Sequence, residues 1–293
     1  MHSSPLGKPG TKDTGGMSTY LRELSLALGQ MGRRLDLFTA VGSAAPQITA
    51  LGPGARLVTL PAGSGSEAKL DLYHHLDSFT GSVDQFRRAG KQQYDLIFSH
   101  YWLSGLAGRK LKAGWGVPHV IMFHTLGAVK NACGSGESEP ALRIEAEKAL
   151  VRDCDRVIVA SRRENEALQR YYAAPPGKIE LIPCGVNLSL FRPLPQQEAR
   201  HRAGLEEEKT VLFVGRLEPV KGLELLLRAA AILHGQGCSF KLLIAGGDAP
   251  DDPAIQHYRQ LALEWGIADR LFFPGPVEHS LLPFYYNAAD VTV

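Results

Sequence analysis

Two hydrophobic periods alternate along this chain. Short apolar, β-branched runs such as 209–214 (Lys-Thr-Val-Leu-Phe-Val) have the character of covered parallel strands. Between them apolar residues recur at helical spacing, as in Leu223, Leu226, Leu227, Ala230 and Leu233. Met17, Tyr20, Leu21, Leu24, Leu28 and Met31 predict a helical face that Gly32 stops. Strand-like runs follow at 34–39, 55–60, 94–99, 118–123, 156–160 and 178–182, with helical patterns at 75–90, 103–113, 139–153 and 162–172. That succession predicts a parallel sheet with helices on both faces.

The pattern breaks at 183–195, where Phe191-Arg192-Pro193-Leu194-Pro195 has the proline content of a linker. Alternation then restarts: strand 210–214, helix 221–234, strand 240–245, helix 253–265, strand 270–273 and helix 280–288. The expectation is an α/β chain of two Rossmann-like, doubly wound domains, 1–190 and 191–293, facing a cleft lined by strand ends. Residues 62–68 (Ala-Gly-Ser-Gly-Ser-Glu-Ala) suit a loop.

Composition narrows the class. With 293 residues, 44 % hydrophobic and 21 % charged, the chain has the make-up of a soluble globular protein with room for two domains. A formal charge of +2 without a basic run argues against a nucleic-acid partner. No apolar stretch reaches the roughly 18–20 residues of a membrane span, and the N-terminus lacks a secretory pattern. Cys133, Cys154, Cys184 and Cys238 are scattered, so reduced thiols and a cytoplasmic location are expected. Met1-His2-Ser3-Ser4-Pro5 reads as the tail of a strand, and Asp290-Val291-Thr292-Val293 as the start of one. A chain truncated at both ends, its second domain incomplete, is the expectation.

Candidate chemistry concentrates where strands give way to helices. Gly215-Arg216-Leu217-Glu218-Pro219-Val220-Lys221-Gly222 ends one strand and opens a helix, setting Arg216 and Lys221 beside free backbone N–H groups. Two cations and a helix dipole make a site for a diphosphate. On spacing alone, a solvated loop with two surface cations accounts for it equally. Asp13-Thr14-Gly15-Gly16-Met17 puts two glycines at a helix start, a cradle for a ligand or an ordinary capped turn. His100-Tyr101-Trp102 and His124-Thr125 each follow a predicted strand, where an open parallel sheet binds ligands. Lys69 and Arg143, with Tyr101 and Thr125, outline a second anion pocket; alone, each cation reads as solvated. Asp248, Asp251 and Asp252 read as an acidic turn capping a helix, and not as a metal site. Neither a Gly-x-x-x-x-Gly-Lys-Ser/Thr phosphate loop nor a Gly-x-Ser-x-Gly elbow is present.

Taken together, these segments, with His100-Tyr101-Trp102-Leu103-Ser104-Gly105, His124-Thr125-Leu126, Arg143-Ile144-Glu145-Ala146-Glu147 and Ala288-Ala289-Asp290, resemble the retaining glycosyltransferases of family four, of GT-B architecture. The resemblance spans essentially the whole chain and is strongest to the branches acting on D-inositol 3-phosphate and making sucrose phosphate. It implies transfer of a sugar from a nucleotide donor, UDP-linked, to a small phosphorylated acceptor, with retention and without an essential metal. Gly15 and Gly16 would then meet the donor diphosphate, Arg216 and Lys221 would neutralise it, and His124 would lie by the donor sugar. Lys69, Tyr101, Thr125 and Arg143 would hold the acceptor phosphate, with Ser18 nearby, where the inositol-phosphate enzymes usually carry Asn. The acidic motif expected after Asp290 is missing, so this chain is expected to turn over poorly. Other readings are a fructose-phosphate, lipid or polysaccharide-precursor acceptor, a sugar-nucleotide epimerase, and a catalytically silent fragment. A homodimer is compatible with all of them.

Overall fold

A computed structural model describes residues 6, 15–41, 45–63, 70–134, 138–205, 207–247 and 252–293. The chain forms two units: one contains Tyr20–Gly185, the other Val186–Val293 with Gly15–Thr19.

Helix α1 (Gly16–Gln30) is the first helix among the described residues. Its buried positions are Ser18, Ser25 and Gly29, small residues that admit close backbone approach. A Cβ on Gly29 would meet the Pro53 carbonyl at 1.9 Å. Met31, expected on the buried face, lies beyond the helix end and is 71 % exposed, because this helix packs through small residues. Strands β1 (Leu35–Val41), β2 (Gln47–Gly52) and β3 (Ala55–Pro61) form a sheet in the order β1-β3-β2. β1 pairs parallel to β3, and β2 antiparallel. The antiparallel β2 was not predicted, since an edge strand with four successive exposed residues carries no alternation.

A second sheet carries the first unit's chemistry. It follows α2 (Leu76–Ala89) and comprises β4 (Ile97–His100), α3 (Trp102–Trp115), β5 (His119–Met122), α4 (Gly127–Cys133), α5 (Ala141–Asp153), β6 (Arg156–Val159), α6 (Arg162–Tyr172) and β7 (Ile179–Leu181). Its strands run parallel in the order β4-β5-β6-β7. The core is the apolar set the pattern marked: Leu103, Ile121, Phe123, Leu150, Val157 and Leu168 have no exposure. Gly105 lets α3 settle on that sheet, for a Cβ there would lie 2.5 Å from Ile121 Cδ1.

The second unit repeats the plan. Helix α7 (Gln196–Ala203) precedes β8 (Thr210–Val214), α8 (Leu223–Gly235), β9 (Lys241–Ala245), α9 (Pro253–Glu264), β10 (Leu271–Gly275), α10 (Leu282–Ala288) and β11 (Val291–Thr292). The sheet is parallel throughout, in the order β10-β9-β8-β11. Sequence periodicity missed α7, a short polar helix held by Arg200, whose Nη2 donates to Asp290 at 2.8 Å. Asp290 also accepts from the Thr210 amide at 2.8 Å, tying the last strand to the start of β8. Asp252 caps α9 by accepting from the Ala254 amide at 2.8 Å, as the acidic-turn reading expected; Asp248 and Asp251 lie outside the described residues. Among the described residues no helix is long and apolar enough to cross a membrane.

Candidate active site

The carboxyl ends of β4 and β5 bring two predicted residues into contact. His100 closes β4 opposite Met122 of β5, and His124 follows two residues later. His100 Nδ1 lies 2.9 Å from His124 Nε2, so one ring donates and the other accepts. Burial pulls the His100 imidazole down to about 3, helped by His124, and burial pulls His124 down to about 4. Both rings are therefore neutral at pH 7. The Tyr20 ring packs against them with centroids 5.9 Å and 5.4 Å away.

The backbone around this pair is strained. Tyr101 has φ 76° and ψ 154°, and His124 has φ 62°, conformations that bulky residues rarely adopt. Each costs about 1–3 kcal/mol and persists only where neighbours hold it. Tyr101 is held on both sides: its amide donates to Met122 O at 2.9 Å, and its carbonyl accepts from the Gly105 amide at 2.9 Å. Strain of this kind marks functional positions.

Arg143 departs from the solvated reading of the sequence: it is 2 % exposed. Its Nε donates to Glu147 at 2.8 Å, its Nη2 to both the carbonyl and the hydroxyl of Thr125 at 2.9 Å, and its Nη1 pairs with Glu139 at 2.9 Å. The guanidinium carbon sits 4.9 Å from the centroid of the Tyr101 ring. Arg143, Thr125 and Tyr101 thus form one cluster. Glu147, wholly buried, also accepts from the Gly127 amide at 3.0 Å and from Tyr172, whose oxygen accepts from the Ala128 amide at 2.9 Å. Burial pushes the Glu147 carboxyl up against the opposing pull of Arg143. Glu139 and Tyr172 were not singled out from the sequence, and Glu147 entered only as the last residue of the Arg143–Glu147 segment. Glu139-x-x-x-Arg143-x-x-x-Glu147 is nonetheless an i, i+4 ladder of alternating charge, which was the available signal. Ser18 is 1 % exposed and its hydroxyl has no hydrogen-bond partner among the described residues. Lys69 lies outside the described residues.

In the second unit, Gly215 follows β8 and its amide donates to Ala245 O at 3.0 Å. Arg216 pairs with Glu218 at 2.8 Å and keeps 32 % of its side-chain surface. The 3-10 turn Pro219–Lys221 leads into Gly222, whose φ of 77° opens α8, with Lys221 exposed. Gly15 belongs to this unit: a Cβ built on it would lie 3.6 Å from Arg216 Nε. Gly16 begins α1 with nothing within 4 Å of its Cβ position. The arrangement sets a guanidinium, a helix start and a short glycine approach together, as an anion site requires. The sequence reading passed over Gly246 and Gly275, which lie at the ends of β9 and β10. The Gly246 amide donates to Gly275 O at 3.2 Å, and a Cβ on Gly246 would meet Gly215 O at 1.9 Å. Glycines directly after strand runs were the signal.

Comparison with known proteins follows the same division. A family model described as "Glycosyl transferase 4-like domain" matches residues 15–185, and one described as "Glycosyl transferases group 1" matches 195–293. D-inositol 3-phosphate glycosyltransferase 2 of Catenulispora acidiphila is 39 % identical over 306 residues, covering 100 % of this chain and 71 % of the relative. D-inositol 3-phosphate glycosyltransferase of Mycobacterium marinum is 38 % identical over 299 residues, covering 99 % and 63 % respectively. Among solved structures, sucrose-phosphate synthase from Thermosynechococcus elongatus matches with a TM-score of 0.88 and 32 % identity, covering 100 % of this chain and 73 % of that one. Anabaena HepE, solved with UDP and glucose, shares the fold at 17 % identity and a TM-score of 0.70, over 98 % of this chain and 71 % of its own. The chain belongs to the family-four-like glycosyltransferases of GT-B fold.

Proposed function

We propose that this enzyme transfers a glycosyl group from a UDP-sugar to inositol phosphate, with retention at the anomeric carbon, in the cytoplasm. One observation carries the reading: curated relatives named for D-inositol 3-phosphate are 36–39 % identical along essentially the whole chain. The cluster of buried Arg143 with half-buried Tyr101 and exposed Thr125 supports a phosphorylated acceptor, since a guanidinium recognises phosphate oxygens bidentately.

On this reading Gly15 and Gly16 approach the donor diphosphate while Arg216 and Lys221 neutralise it as the glycosidic C–O bond breaks. Preorganised cations make that departure possible without a metal. His124, neutral at pH 7, meets the sugar's developing positive charge without repelling it. Arg216 must exchange its Glu218 partner for phosphate oxygens.

The likeness to a sucrose-phosphate synthase over the full chain favours a second acceptor, a hexose phosphate. One assay separates the two. The protein is incubated with UDP-glucose or UDP-N-acetylglucosamine and either inositol 3-phosphate or fructose 6-phosphate, with UDP release and product mass recorded. Product with inositol 3-phosphate is expected, at the low turnover foreseen for this chain. Product with fructose 6-phosphate alone would install the second reading, and UDP release with neither would overturn both.

A further inference from the structure

Arg143 meets four acceptors, and they are not equivalent. Glu147 is fully buried and holds the guanidinium from the interior, whereas Thr125 is exposed and offers its backbone carbonyl beside its hydroxyl, both uncharged acceptors. Glu139 is different: its side chain keeps 15 % of its surface, and it precedes α5 instead of packing within it. Its Oε2 takes Arg143 Nη1 at 2.9 Å, while its Oε1 takes the ammonium of Lys130 on α4. Lys130 is 42 % exposed. One carboxylate thus spans a buried guanidinium and an accessible ammonium, an oxygen to each. Burial opposes ionisation of Glu139, but Lys130 and Arg143 outweigh it and hold the carboxyl below its usual range.

A phosphate monoester presents the same two oxygens and adds a third with more charge. From this geometry we infer that Glu139 is a place-holder for the acceptor's anionic group, and that Lys130 is a further cation of the acceptor site. The backbone suits such an exchange. Asn131 clamps Glu139 from both sides, accepting from its amide at 2.7 Å and donating to its carbonyl at 3.1 Å. The side chain can therefore rotate away by its own torsions while the chain stays in place. Until it does, Arg143 and Lys130 are neutralised by Glu139 and Glu147, and an anion finds no net attraction there. The arrangement also gives Arg143 Nη1 a charged partner when the site is empty.

This inference rests on the phosphorylated-acceptor reading and deepens it. Its test uses inorganic phosphate, titrated calorimetrically in saturating UDP into wild type, Glu139→Gln, Glu139→Asp, Lys130→Ala and Glu139→Gln/Lys130→Ala. Glu139→Gln removes the competing charge at constant shape and should tighten phosphate binding about tenfold, the scale of one charge-assisted hydrogen bond. Adding Lys130→Ala should abolish that gain. Glu139→Asp withdraws the carboxylate by one methylene and keeps the Asn131 clamp, so it should gain partially, which preserves the test should Glu139→Gln unfold. With inositol 3-phosphate as acceptor, Glu139→Gln should lower the acceptor KM and leave kcat and the donor KM unchanged. Phosphate binding that is equal or weaker in both Glu139 variants, or indifferent to Lys130 in the Gln background, overturns the inference. Failure of UDP to bind in the first titration is a failure of the donor reading instead, and the phosphate series then decides without it.

Discussion

His100 Nδ1 and His124 Nε2 share a single hydrogen bond of 2.9 Å at the ends of two neighbouring parallel strands. The accepting ring cannot take up a second proton without breaking that bond, which gives the pair a consequence in acid.

Unfolded, both imidazoles gain protons below about 6.5. Folded, they resist until about 3 and about 4, and so does the wholly buried His119, lowered to about 4 chiefly by burial. Between these values the unfolded state binds more protons, so stability is full above pH 6.5 and drains away as pH falls. For His119 alone the loss at pH 5 is about 2 kcal/mol. Urea unfolding at pH 7 and pH 5 should show a lower midpoint at pH 5, and a shallower decline in His100→Gln. A midpoint that does not move would show that these rings are charged or solvent-coupled in the native state.

Glu147→Ala should cost about 3–5 kcal/mol, because it removes the wholly buried carboxylate that pairs with Arg143 Nε, leaving that guanidinium to Glu139 and Thr125, and removes the acceptor of the Gly127 amide. Glu147→Gln keeps shape and some hydrogen bonds and should cost less. Chemical denaturation of both proteins measures the difference; equal stability to wild type would mean that Glu139 and Thr125 suffice to compensate Arg143.

Gly246→Ala should disturb the donor side. The new methyl would meet Gly215 O at 1.9 Å, and a backbone carbonyl cannot swing away as a side chain can. Overpacking of this kind costs about 1–3 kcal/mol, and the shift falls on the turn that carries Arg216. Thermal unfolding and UDP titration should worsen together. A variant with unaltered UDP affinity would uncouple that turn from the donor.

The alternation of strand and helix was legible because buried strands such as β8 and β9 are continuous apolar runs and helices such as α8 keep their stripe. What escaped lacked that signal. β2 is an exposed edge, α7 is polar and short, and α4 spans only Gly127–Cys133. The buried face of α1 is built on Ser18, Ser25 and Gly29, small residues that a search for large apolar positions passes over. His100, Tyr101, His124 and Thr125 were singled out because strand ends of a parallel sheet are where ligands bind. Arg143 was found as a cation, but its burial was not foreseen. Glu139 and Glu147 flank it at i, i+4 spacing, but only tertiary packing brings Thr125 and Tyr101 around it.

The account depends most on Arg216 and Lys221 as the grip on the donor diphosphate, and calorimetric titration of UDP into wild type, Arg216→Ala and Lys221→Ala tests it most directly. Each charge-assisted hydrogen bond lost should weaken binding by about 1.5–3 kcal/mol, roughly tenfold or more. Added salt should erode wild-type affinity more than that of either variant. UDP bound equally well by all three proteins would contradict the account.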